Sequence, residues 1–226
     1  MFEENTARMV EAAGTSGVYC IERISIVEYH RILCNLHEIA VNAVPFMDSA
    51  IASLGCLTCR TDADNKFLDY LKKHITEEKG HDRWILEDVA ALRAAYPFLG
   101  QFDDVPKSPF IGTLVRAQGE FLNCGYTWPL LGHMAAIETR PPAISQIKAL
   151  RERLGLSDEM VRSYERHAVI DIDHGREIIS LLREIRGFAG IWNEVQVGAR
   201  CTATGIAKYW LNFFETSSTT QISWIT

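Results

Sequence analysis

Residues 165–174 read Glu165-Arg-His-Ala-Val-Ile-Asp-Ile-Asp-His174. His167, Asp171 and His174 stand at i, i+4 and i+7. At 100° per residue these positions fall within about 60° of one another, so one helical face presents two imidazoles and a carboxylate. Asp173 points elsewhere, and the geometry selects Asp171. Two histidines with one carboxylate is the ligand mixture that suits non-haem iron. One helix cannot complete such a set, so other helices must bring the remaining ligands. Di-iron bundles gather such residues from several helices into one core, and weak strand alternation along the chain fits an all-α bundle. The plainer reading makes Asp171 only a hydrogen-bonding partner of the two histidines.

Working outward, Glu78-Lys-Gly-His81 is a Glu-x-x-His sequence, the spacing that puts both groups on one face of a helix and that di-iron bundles use repeatedly. Glu77 lies i−4 from His81, so helical geometry leaves it as a rival of Glu78. His74 lies on the same stripe, either as a partner behind the ligands or as an extra ligand. Glu138 ends the apolar run Leu130-Leu-Gly-His-Met-Ala-Ala-Ile137. A carboxylate beside such a run is costly to bury unless it is paired or binds a metal. Glu38 sits in an apolar part of the first long helix, with Glu28 and Asp48 as rivals. Four helices would then each contribute to one centre. His30, His37 and His133 read as polar core groups, and Trp84, Trp128, Trp192 and Trp210 as core residues.

The rest of the chain agrees with a helical bundle. A helix fragment is predicted over 1–20, broken at Gly14-Thr-Ser-Gly17. Ile24, Val27, Ile32, Leu36, Ile39 and Val44 recur at helical spacing through 21–54, with a kink at Pro45. A helix capped at Asp64 or Asn65 is predicted to run to about Tyr96, weakened by Gly80 and closed by Pro97. Residues 110–139 form a helical stretch broken around Gly125–Pro129. A short helix over 143–154 and a long one from an N-cap at Ser157 to Arg186 follow. A final helix spans about Trp192–Glu215, and residues 216–226 are expected to be a mobile tail. Strand alternation is weak throughout. The expectation is one domain over 1–226, a bundle of about seven helices.

Composition narrows the function. The chain has 226 residues, with 47% hydrophobic and 23% charged side chains and a net charge of −6. A mildly acidic chain without a Lys/Arg cluster argues against nucleic acid as partner. No apolar run approaches the roughly 20 residues that span a bilayer, and no signal peptide is recognisable, so a cytoplasmic protein without a membrane partner is expected. Its six cysteines then read as free thiols. Cys56-Leu-Thr-Cys59 lacks the second pair that a zinc ribbon needs.

Three segments, taken in order, resemble the haem-oxygenase-like di-iron oxidase family. Glu77-Glu-Lys-Gly-His-Asp-Arg-Trp-Ile-Leu-Glu-Asp88 resembles its Glu-Glu-x-Gly-His segment with a downstream Asp. Trp128-Pro-Leu-Leu-Gly-His-Met-Ala-Ala-Ile-Glu138 resembles its Pro-x-x-Leu-Gly…Glu segment, and Glu165–His174 its His-x3-Asp-x2-His segment. The intervals, 57 residues from His81 to Glu138 and 29 from Glu138 to His167, also match. The resemblance implies the seven-helix haem-oxygenase-like fold without haem. It implies two Fe(II) ions held by Glu78, His81, Glu138, His167, Asp171 and His174, with O2 as co-substrate. The family adds a carboxylate from the first core helix. Glu38 is the nearest candidate, although its distance along the chain to Glu78 is longer than the family's.

Known members N-oxygenate amines, cleave amino acids or fatty acids to alkenes, or make nitriles, many in bacterial natural-product pathways. The implied substrate is a small amine-bearing molecule, an amino acid, with a tryptophan derivative converted to a nitrile as the narrowest form. An external electron donor and a homodimer are compatible with that reading. Arg140, Arg166 and Arg176 are the candidates to meet a substrate carboxylate. Competing readings are a ferritin-like iron-oxidising protein, a metal-free enzyme on the same fold, and a non-enzymatic helical scaffold. A ferritin-like site has no need of His167.

Overall fold

Every regular element is a helix among the described residues, 24–222, whose side chains are described through Phe213. In the computed structural model the elements are α1 (Ile26–Gly55), α2 (Asp62–Glu78), α3 (His81–Ala95), α4 (Pro109–Asn123), α5 (Trp128–Glu138), α6 (Ile144–Leu154), α7 (Arg162–Ile185) and α8 (Ala189–Ile222). Single 3₁₀ turns at Phe102–Asp104 and Asp158–Met160 lie between them. With α2 and α3 counted as the two halves of one broken helix, this is the predicted seven-helix bundle. The predicted fragment over 1–20 lies outside the described residues, as does Cys20. The other five cysteines are free thiols. No helix among the described residues is long and apolar enough to cross a membrane.

Helix starts are set by caps, and three of them correct the sequence reading. Ser25 and Glu28 form a capping box at α1: Glu28 N–H donates to Ser25 Oγ at 3.3 Å and Ser25 N–H to Glu28 Oε2 at 2.6 Å. That places the Glu28 carboxylate at the helix end. The cap of α2 lies three residues before Asp64, because Thr61 is the N-cap and Asp64 is its box partner. Ser157 caps only the 3₁₀ turn, and α7 begins at Arg162. There the cap comes from another helix: Asp88 of α3, fully buried, accepts from Ser163 N–H at 2.9 Å and from Ser163 Oγ.

The predicted helix from 64 to 96 is broken. α2 ends at Glu78, and Gly80 adopts φ +93°, a left-handed conformation that an L side chain rarely takes, before α3 opens at His81. The final helix runs on to Ile222, so the tail expected from 216 is helical to that point; 223–226 lie outside the described residues.

Two apolar clusters make the core. One joins α1 to α3, α4 and α6 through Leu33, Val89, Leu92, Ile111 and Ile147. The other joins the end of α1 to α2, α5 and α7 through Leu54, Phe67, Leu71, Leu131 and Ile178, with Phe67 stacked on Trp128 at 4.7 Å. α5 and α8 cross at backbone contact. A Cβ on Gly132 would stand 1.9 Å from Val195 O, and one on Gly198 1.9 Å from Pro129 O.

Candidate metal centre

Acids and histidines from α2, α3, α5 and α7 meet in the interior. Glu138 is the hub. As the last residue of α5 it reaches α7, because Gly175 lets α7 approach the end of that helix: a Cβ there would lie 3.0 Å from Glu138 O and 3.2 Å from Thr139 Cα. The neighbouring His174 is thereby brought to Glu138, Nδ1 to Oε2 at 3.3 Å. His74 Nε2 of α2 meets the same oxygen at 3.3 Å. Glu78 Oε1 lies 3.1 Å from His81 Nδ1 and 3.6 Å from His174 Nδ1. Asp171 Oδ1 is 3.9 Å from His174 Nδ1.

His167 enters from the first turns of α7, its ring 5.0 Å from that of His81 and nearly perpendicular to it. Its Nδ1 lies 2.7 Å from Ser163 O. Only an N–H can make that bond to a carbonyl, so Nε2 is left as the acceptor nitrogen. Trp84 stacks on His81 at 3.9 Å, and the Arg166 guanidinium lies over the indole at 4.5 Å.

Six of the seven sequence-predicted site residues are therefore gathered: Glu78, His81, Glu138, His167, Asp171 and His174. Glu38 is not. Its Oε1 lies 3.2 Å from the point where a Cβ on Gly112 would stand, on the side of α1 that faces α4, beside Arg116 Nη1. Its rivals do not replace it, since Glu28 is in the capping box and Asp48 is exposed. The side of α1 that looks into the site is apolar, with Leu33, Leu36, Ile39, Ala40, Ala43, Phe46 and Met47. His74 is the member whose role the stripe left open. It is 1% exposed and stacked on Tyr70 at 5.2 Å. Glu77, the rival of Glu78, stays near the surface, its Oε2 3.6 Å from His174 Nε2 and 3.8 Å from His74 Nδ1.

The residues fit a metal. Buried atoms without a hydrogen-bond partner concentrate here: both nitrogens of His74, Nδ1 of His81, Nδ1 of His174 and Oε2 of Glu138. Native interiors satisfy nearly all such atoms. The 3.3 Å contacts lack hydrogen-bonding angles, yet two ligands of one ion at about 2.1 Å stand roughly this far apart. The ligand atoms of His74, Glu138 and His174 all lie within 4.8 Å of one another.

Burial and the crowding of acids oppose full ionisation of the cluster. Burial, then the charges of Glu138 and Glu78, push Asp171 up to about 8. Burial also opposes ionisation of Glu138, but His174 and His74 hold it down at about 2. His174 is raised, its desolvation outweighed by Glu138 first and then Glu78 and Asp171. Burial lowers His167.

Beside the centre lies a cavity of about 230 Å³, bounded by residues of both core clusters: Leu33 and Ile85 from one, Met47, Leu130 and Met134 from the other. Glu78, Glu138, His167 and Asp171 form its polar end. His133, read as a polar core group, also lines it. Its Nδ1 lies 2.8 Å from Thr202 Oγ1, and burial lowers its pKa to about 4, so it is neutral. None of the arginines expected to meet a substrate carboxylate is in the wall: Arg166 covers Trp84 and Arg176 pairs with Asp173 at 2.7 Å on the surface.

No protein-family model matches the sequence, and no curated protein matches it. Solved structures do share the fold. A domain of unknown function with a haem-oxygenase-like fold from Shewanella denitrificans OS217 matches with a TM-score of 0.74 at 18% identity, over 97% of this chain and 93% of that one. A TenA homologue from Pseudomonas syringae pv. tomato DC3000 matches with a TM-score of 0.74 at 11% identity, over 95% of this chain and 93% of that one. The chain has the all-α, haem-oxygenase-like fold.

Proposed function

We propose that this protein is a non-haem di-iron oxidase that uses O2 to oxidise a small amine-bearing substrate with a large apolar part. The observation that carries this reading is the convergence of three carboxylates and three predicted histidines, several with unpartnered buried atoms, at one end of an apolar cavity. Glu78, His81, Glu138, His167, Asp171 and His174 would hold the ions. Bound Fe(II) would supply the electrons and open coordination positions that O2 activation needs and that no side chain offers.

The remaining work falls to the chain. Ser163 O fixes the His167 tautomer, so the nitrogen that can take a metal is Nε2. Trp84 and Tyr70 hold the His81 and His74 rings face-on. The apolar walls keep water from the reacting end and accept the hydrophobic body of the substrate, Phe46 and Tyr164 supplying aromatic contact. An amino acid remains the substrate class for this proposal, and a tryptophan derivative turned into a nitrile its narrowest form. The support for that class is the sequence resemblance together with the apolar cavity.

The test loads anaerobic apo-protein with Fe(II), mixes it with O2 and a panel of amino acids including tryptophans, and follows absorbance by stopped flow. A transient visible band with one compound alone, followed by its oxidised product, is the expected result. Iron oxidation at one rate with every compound would favour an iron-oxidising protein instead. The likeness to a TenA homologue favours a second reading, a metal-free enzyme on this fold. Failure to take up iron would support it.

A further inference from the structure

We infer that His74 is itself a metal ligand and takes the place that α1 leaves without a carboxylate. This rests on the di-iron reading above. On α1, Glu38 faces α4, and the residues facing the cavity are apolar. His74 approaches from α2 and also lines the cavity. It is 1% exposed, and neither ring nitrogen has a hydrogen-bond partner. A buried imidazole with both nitrogens unpaired is destabilising unless something else occupies one of them.

The geometry points to what that is. Nε2 stands 3.3 Å from Glu138 Oε2, the atom that His174 Nδ1 also meets at 3.3 Å. The His74 and His174 rings are nearly perpendicular, with centroids 4.3 Å apart. One point between the three side chains can thus be reached by two nitrogens and one oxygen. Nδ1 of His74 turns toward Glu77 Oε2 at 3.8 Å. A histidine that gives one nitrogen to a metal commonly directs the other N–H to a carboxylate, which keeps the ring in the right tautomer.

The centre is then asymmetric. Glu78 and His81, 3.1 Å apart, would serve one ion. His74, His174 and Glu138 belong to the other, giving it two imidazoles and one carboxylate. Exchanging an α1 carboxylate for an imidazole removes one negative charge from the ligand set.

The test is anaerobic titration of apo-protein with Co(II), then Fe(II), read by calorimetry and by metal analysis after desalting. Wild-type protein is expected to bind two equivalents. His74→Ala should keep one and lose the other or weaken it at least ~100-fold, while Glu38→Gln should retain both. Two equivalents at wild-type affinity in folded His74→Ala would overturn the inference and leave the di-iron reading standing. No metal in the wild type would overturn both. If His74→Ala does not fold, crystals of Fe(II)-loaded wild type decide the matter by anomalous scattering. An iron peak at bonding distance from His74 Nε2 supports the inference, and two peaks that both lie away from it refute it.

Discussion

Asp88 shows how much one buried side chain does in this molecule. Its carboxylate is fully enclosed, caps the start of α7 from another helix, and so holds Ser163, whose carbonyl orients His167. Burial raises its pKa from 3.8 to about 6, more than the Ser163 hydrogen bonds lower it. A folded-state pKa above the unfolded one means the native state holds the proton longer. The favourable contribution is complete below about 4 and is lost as pH rises through about 6. The difference corresponds to about 3 kcal/mol at neutral pH. Asp88→Asn keeps an acceptor for Ser163 and cannot ionise. Its melting temperature relative to wild type should therefore rise between pH 4 and pH 7, and a constant difference across that range would show that Asp88 does not titrate there. Glu138 is the opposite case. Glu138→Gln should retain the fold and abolish tight Fe(II) binding, measured by metal content after desalting.

At the scale of elements, the helices were legible because apolar residues recur at their period and because Pro and Gly punctuate the chain. Three stretches that carry the centre, around 74–81, Glu138 and 167–174, were legible for a chemical reason: acids and histidines are rare in apolar stretches, so Glu138 and the His167 face stood out. Glu38 was misplaced because a facing direction over a 30-residue helix cannot be fixed by periodicity when both sides are partly apolar. A shift of one residue turns a side chain by 100°. The break at Gly80 was hidden because His81 opens α3 without a side-chain cap. The close crossings were not legible at all, since a glycine in a helix does not declare what it touches. Gly132→Ala must separate α5 from α8, and the expected loss is about 3 kcal/mol or more, read as a lower urea midpoint. Gly175→Ala should cost less stability but weaken Fe(II) binding, because it pushes His174 away from Glu138. Unchanged affinity would show that the approach at Gly175 does not set the site.

For the whole molecule, the centre is the place where burial is incomplete as chemistry. Two apolar clusters are joined across a cavity whose polar end carries Glu138 and His74, each with an unpartnered buried atom. A cation that binds only the folded state should then stabilise the entire bundle. At free Fe(II) about 100-fold above its dissociation constant, the gain is about 2.7 kcal/mol. For a domain of this size that is a rise of about 5–10 °C in melting temperature, reversed by a chelator. A melting temperature indifferent to Fe(II), Co(II) and chelator would mean that the site holds no ion in the folded state.

The joint at Lys79-Gly80 gives that linkage a moving part. Glu78 closes one rod and His81 opens the next, so the two are not locked together by a shared helical register. An ion gripping both would act as a clasp across an elbow, setting the angle between α2 and α3. Amide exchange at residues 79–82 would then be the first local signal of loading, slowing before the rest of the bundle responds.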